Sequence, residues 1–123
     1  MNFPPPDGHG KMTVTRMSIV EDEVHLDFEG AIEGYGTVFV TQVWKATNAD
    51  KSRGVMSGQA RVFLSDGTLL SSPLRGALRR HNSTVTVHFV DAVSNGAQNF
   101  VTWDIDLLSK EVTVQYHELH PAN

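Results

Sequence analysis

Eight short segments rich in valine, threonine and phenylalanine follow one another along the chain, nearly all separated by turns of hairpin length. No window repeats apolar residues at helical spacing over three turns, so the pattern predicts strands. The predicted strands span residues 12–20, 23–32, 35–46, 55–64, 68–81, 84–93, 97–106 and 111–119. Short connections make sequential strands antiparallel. We therefore predict an all-β, eight-stranded antiparallel meander barrel, because closure removes exposed strand edges; a two-sheet β-sandwich is the alternative.

The length of the chain, 123 residues, fits one domain with one core. We place a single β-barrel domain at residues 12–120. Residues 1–11 are rich in proline and glycine, and proline cannot join the hydrogen-bonded ladder of a sheet. This segment is therefore predicted to be a flexible tail.

Composition and charge argue against several classes of protein. The 14 acidic residues outnumber the 10 basic ones, and the formal net charge of −4 argues against nucleic-acid binding. Without cysteine, the chain has no disulfide, thiolate nucleophile or cysteine metal ligand. No apolar run approaches membrane-spanning length, and the first residues lack the basic and apolar regions of a signal peptide. We therefore predict a cytoplasmic, bacterial type of protein that binds neither nucleic acid nor membrane.

The turn at residues 94–96, Ser-Asn-Gly, predicts how the strands beside it pair, because its glycine suits the left-handed position of a three-residue hairpin loop. This turn and the turns near residues 82 and 108 together set the register of the second half. The predicted cross-strand pairs are Phe89 with Val101, Val87 with Trp103, Trp103 with Val114, Val101 with Tyr116, Asp91 with Asn99, Asn99 with Glu118, Leu74 with Asp91 and Gly76 with Phe89. The apolar faces agree across all three hairpins, which supports the register because a slip by one residue would turn each strand over.

An apolar cavity is predicted inside the barrel. A barrel of eight strands is just wide enough to be filled by side chains or to hold one small ligand. The small residues Gly58, Ala60 and Gly76 are predicted to face inward and to leave a void. The predicted ligand-binding wall comprises Phe28, Phe39, Met56, Leu74, Phe89, Val101 and Trp103. Alternatively, the small residues only accommodate large neighbours or mark bends of the barrel.

One row of the inward face carries polar side chains, namely Asp91, Asn99 and Glu118. Two carboxyl groups in the same row, bridged by an amide, can have the pKa of one of them raised through burial and like-charge repulsion. Such a carboxyl group can act as a general acid or base. We therefore predict Asp91, Asn99, Tyr116 and Glu118 as candidate catalytic residues, with Asp91 as acid or base and Tyr116 or Asn99 as hydrogen-bond donor. The alternative is that this row forms the solvated rim of the barrel.

The third predicted strand, residues 35–46, is largely apolar on both faces. The outward face of a barrel strand is normally polar, so this pattern predicts burial on both sides. We predict a homo-oligomer that forms its interface through Val38, Val40 and Trp44. The alternative is that the proline-rich tail covers a few scattered surface apolar residues.

The histidines predict no metal site. His25, His88 and His117 lie on different strands and all face outward by alternation, and the spacing of His117 and His120 matches no known zinc motif. The sequence also lacks a phosphate-binding glycine loop and a Gly-x-Ser-x-Gly elbow. Any chemistry is therefore expected to come from side chains on the strands.

Residues 28–38, FEGAIEGYGTV, resemble the glycine-punctuated second hairpin of allene-oxide-cyclase-like barrels, a group that includes small bacterial proteins of unknown function. The runs GQARVF at 58–63, DGT at 66–68 and LRG at 74–76 are similar in style to the same group. The resemblance implies an eight-stranded antiparallel barrel with a ligand cavity, often oligomeric. It also implies that no cofactor is needed, since some members are cyclases or isomerases that work by shaping a reactive substrate.

Three functions remain open from the sequence. The leading prediction is a β-barrel that binds a small, mostly apolar molecule in an aromatic-lined cavity, without a cofactor. The first alternative is a cofactor-free cyclase or isomerase in which Asp91 transfers protons and the aromatic wall folds the substrate. The second alternative is a structural or interaction protein with a filled core.

Overall fold

A computed structural model describes residues 3–123 and confirms the predicted barrel. The eight strands form one closed antiparallel sheet in sequence order, and β8 pairs with β1. The strands are β1 Gly8–Val20, β2 Glu23–Ile32, β3 Gly36–Ala46, β4 Arg53–Phe63, β5 Leu69–His81, β6 Thr84–Asp91, β7 Gln98–Asp106 and β8 Glu111–His120. No helix within residues 3–123 has the length and apolarity needed to cross a membrane. We call the end with the β2–β3, β4–β5 and β6–β7 connections the upper mouth, and the opposite end the lower mouth.

The predicted register of the second half of the barrel is confirmed. Phe89 pairs with Val101, and Trp103 pairs with both Val87 and Val114. The turn between β6 and β7 has the predicted conformation, since Gly96 adopts a φ of 98°. Turn chemistry and the alternation of apolar side chains therefore sufficed to pair these strands.

The first strand begins at Gly8 rather than at residue 12, and its early part pairs with β8 to close the barrel. The prediction of a flexible tail over residues 1–11 is therefore wrong for residues 8–11, and residues 1 and 2 lie outside the described part of the chain. A side chain at Gly8 would overlap the ring of Tyr116, so any larger residue here would displace that ring. Upstream, Phe3 packs against Phe100 on the outer face of β7, with 5.4 Å between the ring centroids.

The centre of the barrel is an aromatic cluster around Trp103. The ring of Trp103 meets Phe28 and Phe89 edge to face, at centroid distances of 4.8 Å and 5.5 Å. All three side chains are buried. Aromatic rings prefer this arrangement because the positive edge of one ring meets the negative face of another.

The inward face of β3 is opposite to the predicted one. Val38, Val40 and Trp44 are buried inside the barrel, so the prediction that they form an oligomer interface is wrong. Gln42 also points inward and is fully buried; its Oε1 accepts a hydrogen bond of 2.9 Å from the Trp44 indole. Phe39 lies on the outer face and is 43% exposed, so its predicted place in the cavity wall is wrong as well. Because both faces of β3 are apolar, only the pairing with β2 and β4 decides which face turns inward.

Candidate functional site

A cavity of about 60 Å³ opens beneath the upper mouth. Its walls are mostly apolar, and its polar groups lie on β5 to β8 and in the β2–β3 turn. The apolar lining comprises Ile32, Val38, Val40, Ala60, Val62, Leu74, Phe89, Val93, Val101, Trp103 and Val114. The polar lining comprises Tyr35, Ser72, Asp91, Asn99 and Tyr116. An apolar cavity with a few convergent polar groups is the usual form of a small-molecule site.

Four predicted wall residues line this cavity, namely Leu74, Phe89, Val101 and Trp103. Two others are buried but do not line it. Phe28 lies behind Trp103 in the aromatic cluster, and Met56 lies further toward the lower mouth, opposite Trp44. Their predicted contact with a ligand in this cavity is therefore wrong.

The predicted void next to the inward-facing glycines is not where the cavity lies. A side chain at Gly58 would overlap the Thr41 carbonyl oxygen, and one at Gly76 would overlap the His88 carbonyl oxygen. These glycines therefore allow close approach of neighbouring strands, as the alternative interpretation states. Of the three small residues, Ala60 lines the cavity.

Asp91 and Asn99 form the predicted pair, and their geometry is tight. The backbone N–H of Asn99 donates to Asp91 Oδ1 over 2.9 Å. The Asn99 side-chain Nδ2 donates to the same oxygen over 3.1 Å and approaches Oδ2 at 3.3 Å. Asn99 is 1% exposed and Asp91 is partly buried, so this pair lies inside the mouth rather than on a solvated rim.

Tyr35 belongs to the site, although it was not among the predicted site residues. It lies in the β2–β3 turn, and its hydroxyl reaches across the mouth to accept a hydrogen bond of 2.9 Å from Asn99 Nδ2, 64 residues away in sequence. Gly34 and Gly36 on either side have φ angles of 80° and 108°, which favour glycine. The sequence feature that could have identified Tyr35 is a tyrosine flanked by two glycines, because the tight turn they form fixes the position of the aromatic ring.

Tyr116 holds the β2–β3 turn over the mouth. Its hydroxyl donates a hydrogen bond of 3.0 Å to the backbone carbonyl of Glu33. Its ring meets Tyr35 edge to face, with 5.5 Å between the centroids. The Tyr116 proton is thus engaged with the protein, which gives this residue a positioning role instead of the predicted role as donor to developing charge.

Glu118 is the one predicted catalytic residue that lies outside the cavity lining. It pairs with Asn99 in the sheet, but its side chain is exposed. Its backbone N–H donates to the carboxylate of Asp7 over 2.6 Å. Glu118 therefore occupies the solvated rim that the alternative interpretation describes, and its predicted catalytic position is wrong.

Burial favours the neutral forms of the titratable groups in the cavity. It raises the pKa of the Asp91 carboxyl above 3.8, an effect that the hydrogen bonds from Asn99 partly offset. It also raises the pKa of the Tyr35 hydroxyl above 10.0, which the hydrogen bond with Asn99 lowers and the charges of Asp91 and Glu118 raise further. Burial raises the pKa of Tyr116 as well. Both hydroxyls are therefore protonated at neutral pH.

Two buried polar atoms of the cavity lining have no hydrogen-bond partner among the described residues. They are the carbonyl oxygen Oδ1 of Asn99 and the indole Nε1 of Trp103. The orientation of the Asn99 amide follows from its neighbours, because its N–H₂ group must face the Asp91 carboxylate and the Tyr35 oxygen. Both atoms are buried, and both belong to residues that line the cavity.

Comparisons of the chain with protein-family models, with curated proteins and with solved structures gave no match. The resemblance to allene-oxide-cyclase-like barrels therefore stays a prediction. Within residues 3–123, no group of three or more histidine, cysteine, aspartate or glutamate side chains is placed to hold a metal ion.

Proposed function

We propose that the cavity at the upper mouth binds a small, mostly apolar molecule by its polar end. The observation that carries this proposal is the unpaired Oδ1 of Asn99, a residue in the wall of a mostly apolar cavity. A buried polar atom left without a partner costs about 1–3 kcal/mol. A ligand that donates a hydrogen bond to this oxygen removes that cost.

The polar groups of the cavity select an uncharged carbonyl compound. The Tyr35 hydroxyl accepts from Asn99 and keeps its own proton for a carbonyl oxygen of the ligand, while Asn99 Oδ1 suits a neighbouring N–H or O–H group. The Asp91 carboxylate repels an anion in the same space. A lactam satisfies both groups, and a small cyclic ketone satisfies the carbonyl position alone.

The size of the cavity limits what it holds. A buried apolar cavity of about 150 Å³ accommodates benzene. The cavity here, about 60 Å³, therefore accepts the polar end of a ligand, and the remainder extends past the rings of Tyr35 and Tyr116 at the mouth.

The proposal is tested with 2-pyrrolidinone, whose amide supplies both an acceptor and a donor. We expect a titration followed by NMR to shift the signals of the Asn99 side chain and the Trp103 indole. We expect Asn99→Ala to abolish the response and Gln98→Ala, an exposed amide on the same strand, to preserve it.

Shifts that map outside the cavity, or equal losses in both variants, would contradict the proposal. An absence of binding by 2-pyrrolidinone and by cyclopentanone would favour the structural or interaction role with a filled core.

A further inference from the structure

We infer that the same cavity catalyses proton transfer on the bound carbonyl compound, with Asp91 as the general base and Tyr35 as the hydrogen-bond donor to the carbonyl oxygen. This inference rests on the binding function proposed above. It assigns a reaction class, the cofactor-free isomerisation of an unsaturated ketone, and it places Tyr35 in a catalytic role.

The carboxylate of Asp91 has one oxygen held and one oxygen available. Oδ1 accepts both the backbone and the side-chain hydrogen bonds of Asn99, at 2.9 Å and 3.1 Å. Oδ2 receives the longer contact, at 3.3 Å from Asn99 Nδ2. Asn99 therefore orients the carboxylate, and Oδ2 is the atom able to accept a proton from a molecule in the cavity.

The hydroxyl of Tyr35 is placed to donate. It accepts its hydrogen bond from Asn99 Nδ2, and this bond does not use the tyrosine proton. The proton of Tyr116, by contrast, is engaged by the Glu33 carbonyl. Tyr35 is thus the phenol that can stabilise negative charge on a substrate oxygen, in a cavity whose apolar walls strengthen the interaction.

Asn99 couples these two groups. Its Nδ2 lies 2.9 Å from the Tyr35 hydroxyl oxygen and 3.1 Å from Asp91 Oδ1. A base and an oxygen-binding donor are therefore fixed relative to each other by one side chain that is itself buried. This arrangement suits a substrate whose carbonyl oxygen and acidic C–H are close together, because positioning of both groups lowers the barrier.

The reaction balances without a cofactor. Asp91 Oδ2 takes a proton from the carbon next to the carbonyl, the C–H electron pair forms a carbon–carbon double bond, and the carbonyl π pair moves to the oxygen, which Tyr35 stabilises. The resulting dienolate takes the proton back from Asp91 at its far carbon. The double bond has then moved into conjugation with the carbonyl, and the Asp91 carboxylate is restored.

The test uses 3-cyclopenten-1-one, whose isomerisation to the conjugated 2-cyclopenten-1-one is followed by ultraviolet absorbance. Asp91→Asn is expected to lower the rate at least about 100-fold, and Tyr35→Phe to lower it by about 100-fold, which is typical for loss of a general base or an oxyanion donor. Glu111→Gln, an exposed carboxylate at the start of β8 near the lower mouth, is the control and should leave the rate unchanged. The wild-type rate should rise with pH as the Asp91 carboxyl loses its proton, and Asp91→Asn should remove that rise.

Binding of cyclopentanone, a non-isomerising analogue, is measured in the same variants by NMR. Retained binding in Asp91→Asn with loss of isomerisation supports the catalytic role. Binding without isomerisation in the wild-type protein overturns this inference and leaves the binding function intact. Activity that survives Asp91→Asn, or that falls equally in Glu111→Gln, also overturns it.

Discussion

Val101→Ile tests whether the cavity is real space that a side chain can fill. Val101 is buried and lines the cavity, so the added methyl group has room there. Val87, the matched control, is fully buried one row away and does not line the cavity. The same substitution at Val87 forces an extra methyl group into close-packed core.

The expected magnitudes have opposite signs. At about 24 cal/mol per Å³, a fully enclosed empty cavity of about 60 Å³ costs on the order of 1.4 kcal/mol of stability, which is an upper bound here because this cavity opens at the mouth. One buried methylene contributes about 0.8 kcal/mol, so Val101→Ile should stabilise the protein by up to that amount. Val87→Ile should destabilise it by about 1–3 kcal/mol through overpacking.

The assays are reversible urea unfolding, which gives the midpoint concentration, and thermal unfolding, which gives Tm, both followed by tryptophan fluorescence and circular dichroism. Val101→Ile should raise the midpoint, with a gain of up to roughly 3 °C in Tm, and Val87→Ile should lower Tm by roughly 4 °C or more. The same Val101→Ile protein should lose binding of 2-pyrrolidinone. Equal destabilisation of both variants would show that no unfilled space lies beside Val101, and it would contradict the proposed ligand site.

Three further predictions follow from single contacts. Gly76→Ala should destabilise the barrel by about 1–3 kcal/mol, because its Cβ would overlap the His88 carbonyl oxygen, and a chemical-denaturation curve unchanged from wild type would contradict this steric argument. Because the folded-state pKa of Asp91 is raised, the stability that this carboxyl contributes is present below its unfolded-state pKa of about 3.8 and is lost as pH rises through the higher folded-state value. Asp91→Asn should therefore gain stability relative to wild type in urea titrations as the pH rises from about 3.8 through the raised folded-state pKa; a constant difference would show that Asp91 ionises normally. Tyr116→Phe should remove the hydrogen bond to Glu33, cost about 0.5–1.5 kcal/mol, and speed amide hydrogen exchange in the β2–β3 turn while leaving the lower mouth unaffected; equal acceleration at both mouths would refute the positioning role.

The register of β5 to β8 could be predicted because local chemistry specifies it. Gly96 marks a turn of defined geometry, and the apolar residues of the flanking strands alternate with a clear period. These two signals placed Asp91 opposite Asn99, and the structure joins them by a hydrogen bond of 2.9 Å. Half of the candidate site was therefore predictable without tertiary information.

The orientation of β3 could not be predicted in the same way. Phe39 and Val43 on one face and Val38 and Val40 on the other give no hydrophobic contrast, and Gln42 favours the wrong face. The structure buries Gln42 with Trp44 Nε1 as its hydrogen-bond donor, a pairing between residues of the same strand face that only packing reveals.

The sequence by itself determined the strand count, the antiparallel order and the pairing of the last four strands, because turn residues and the two-residue alternation act over short distances. The closed structure alone decided which groups meet at the upper mouth. Tyr35 reaches Asn99 across 64 residues of sequence, and Tyr116 reaches Glu33 across 83, since closure of the barrel brings opposite strands together. Burial then separates Asp91, held inside the mouth, from Glu118 on the solvated rim, although both are carboxylates next to the same asparagine.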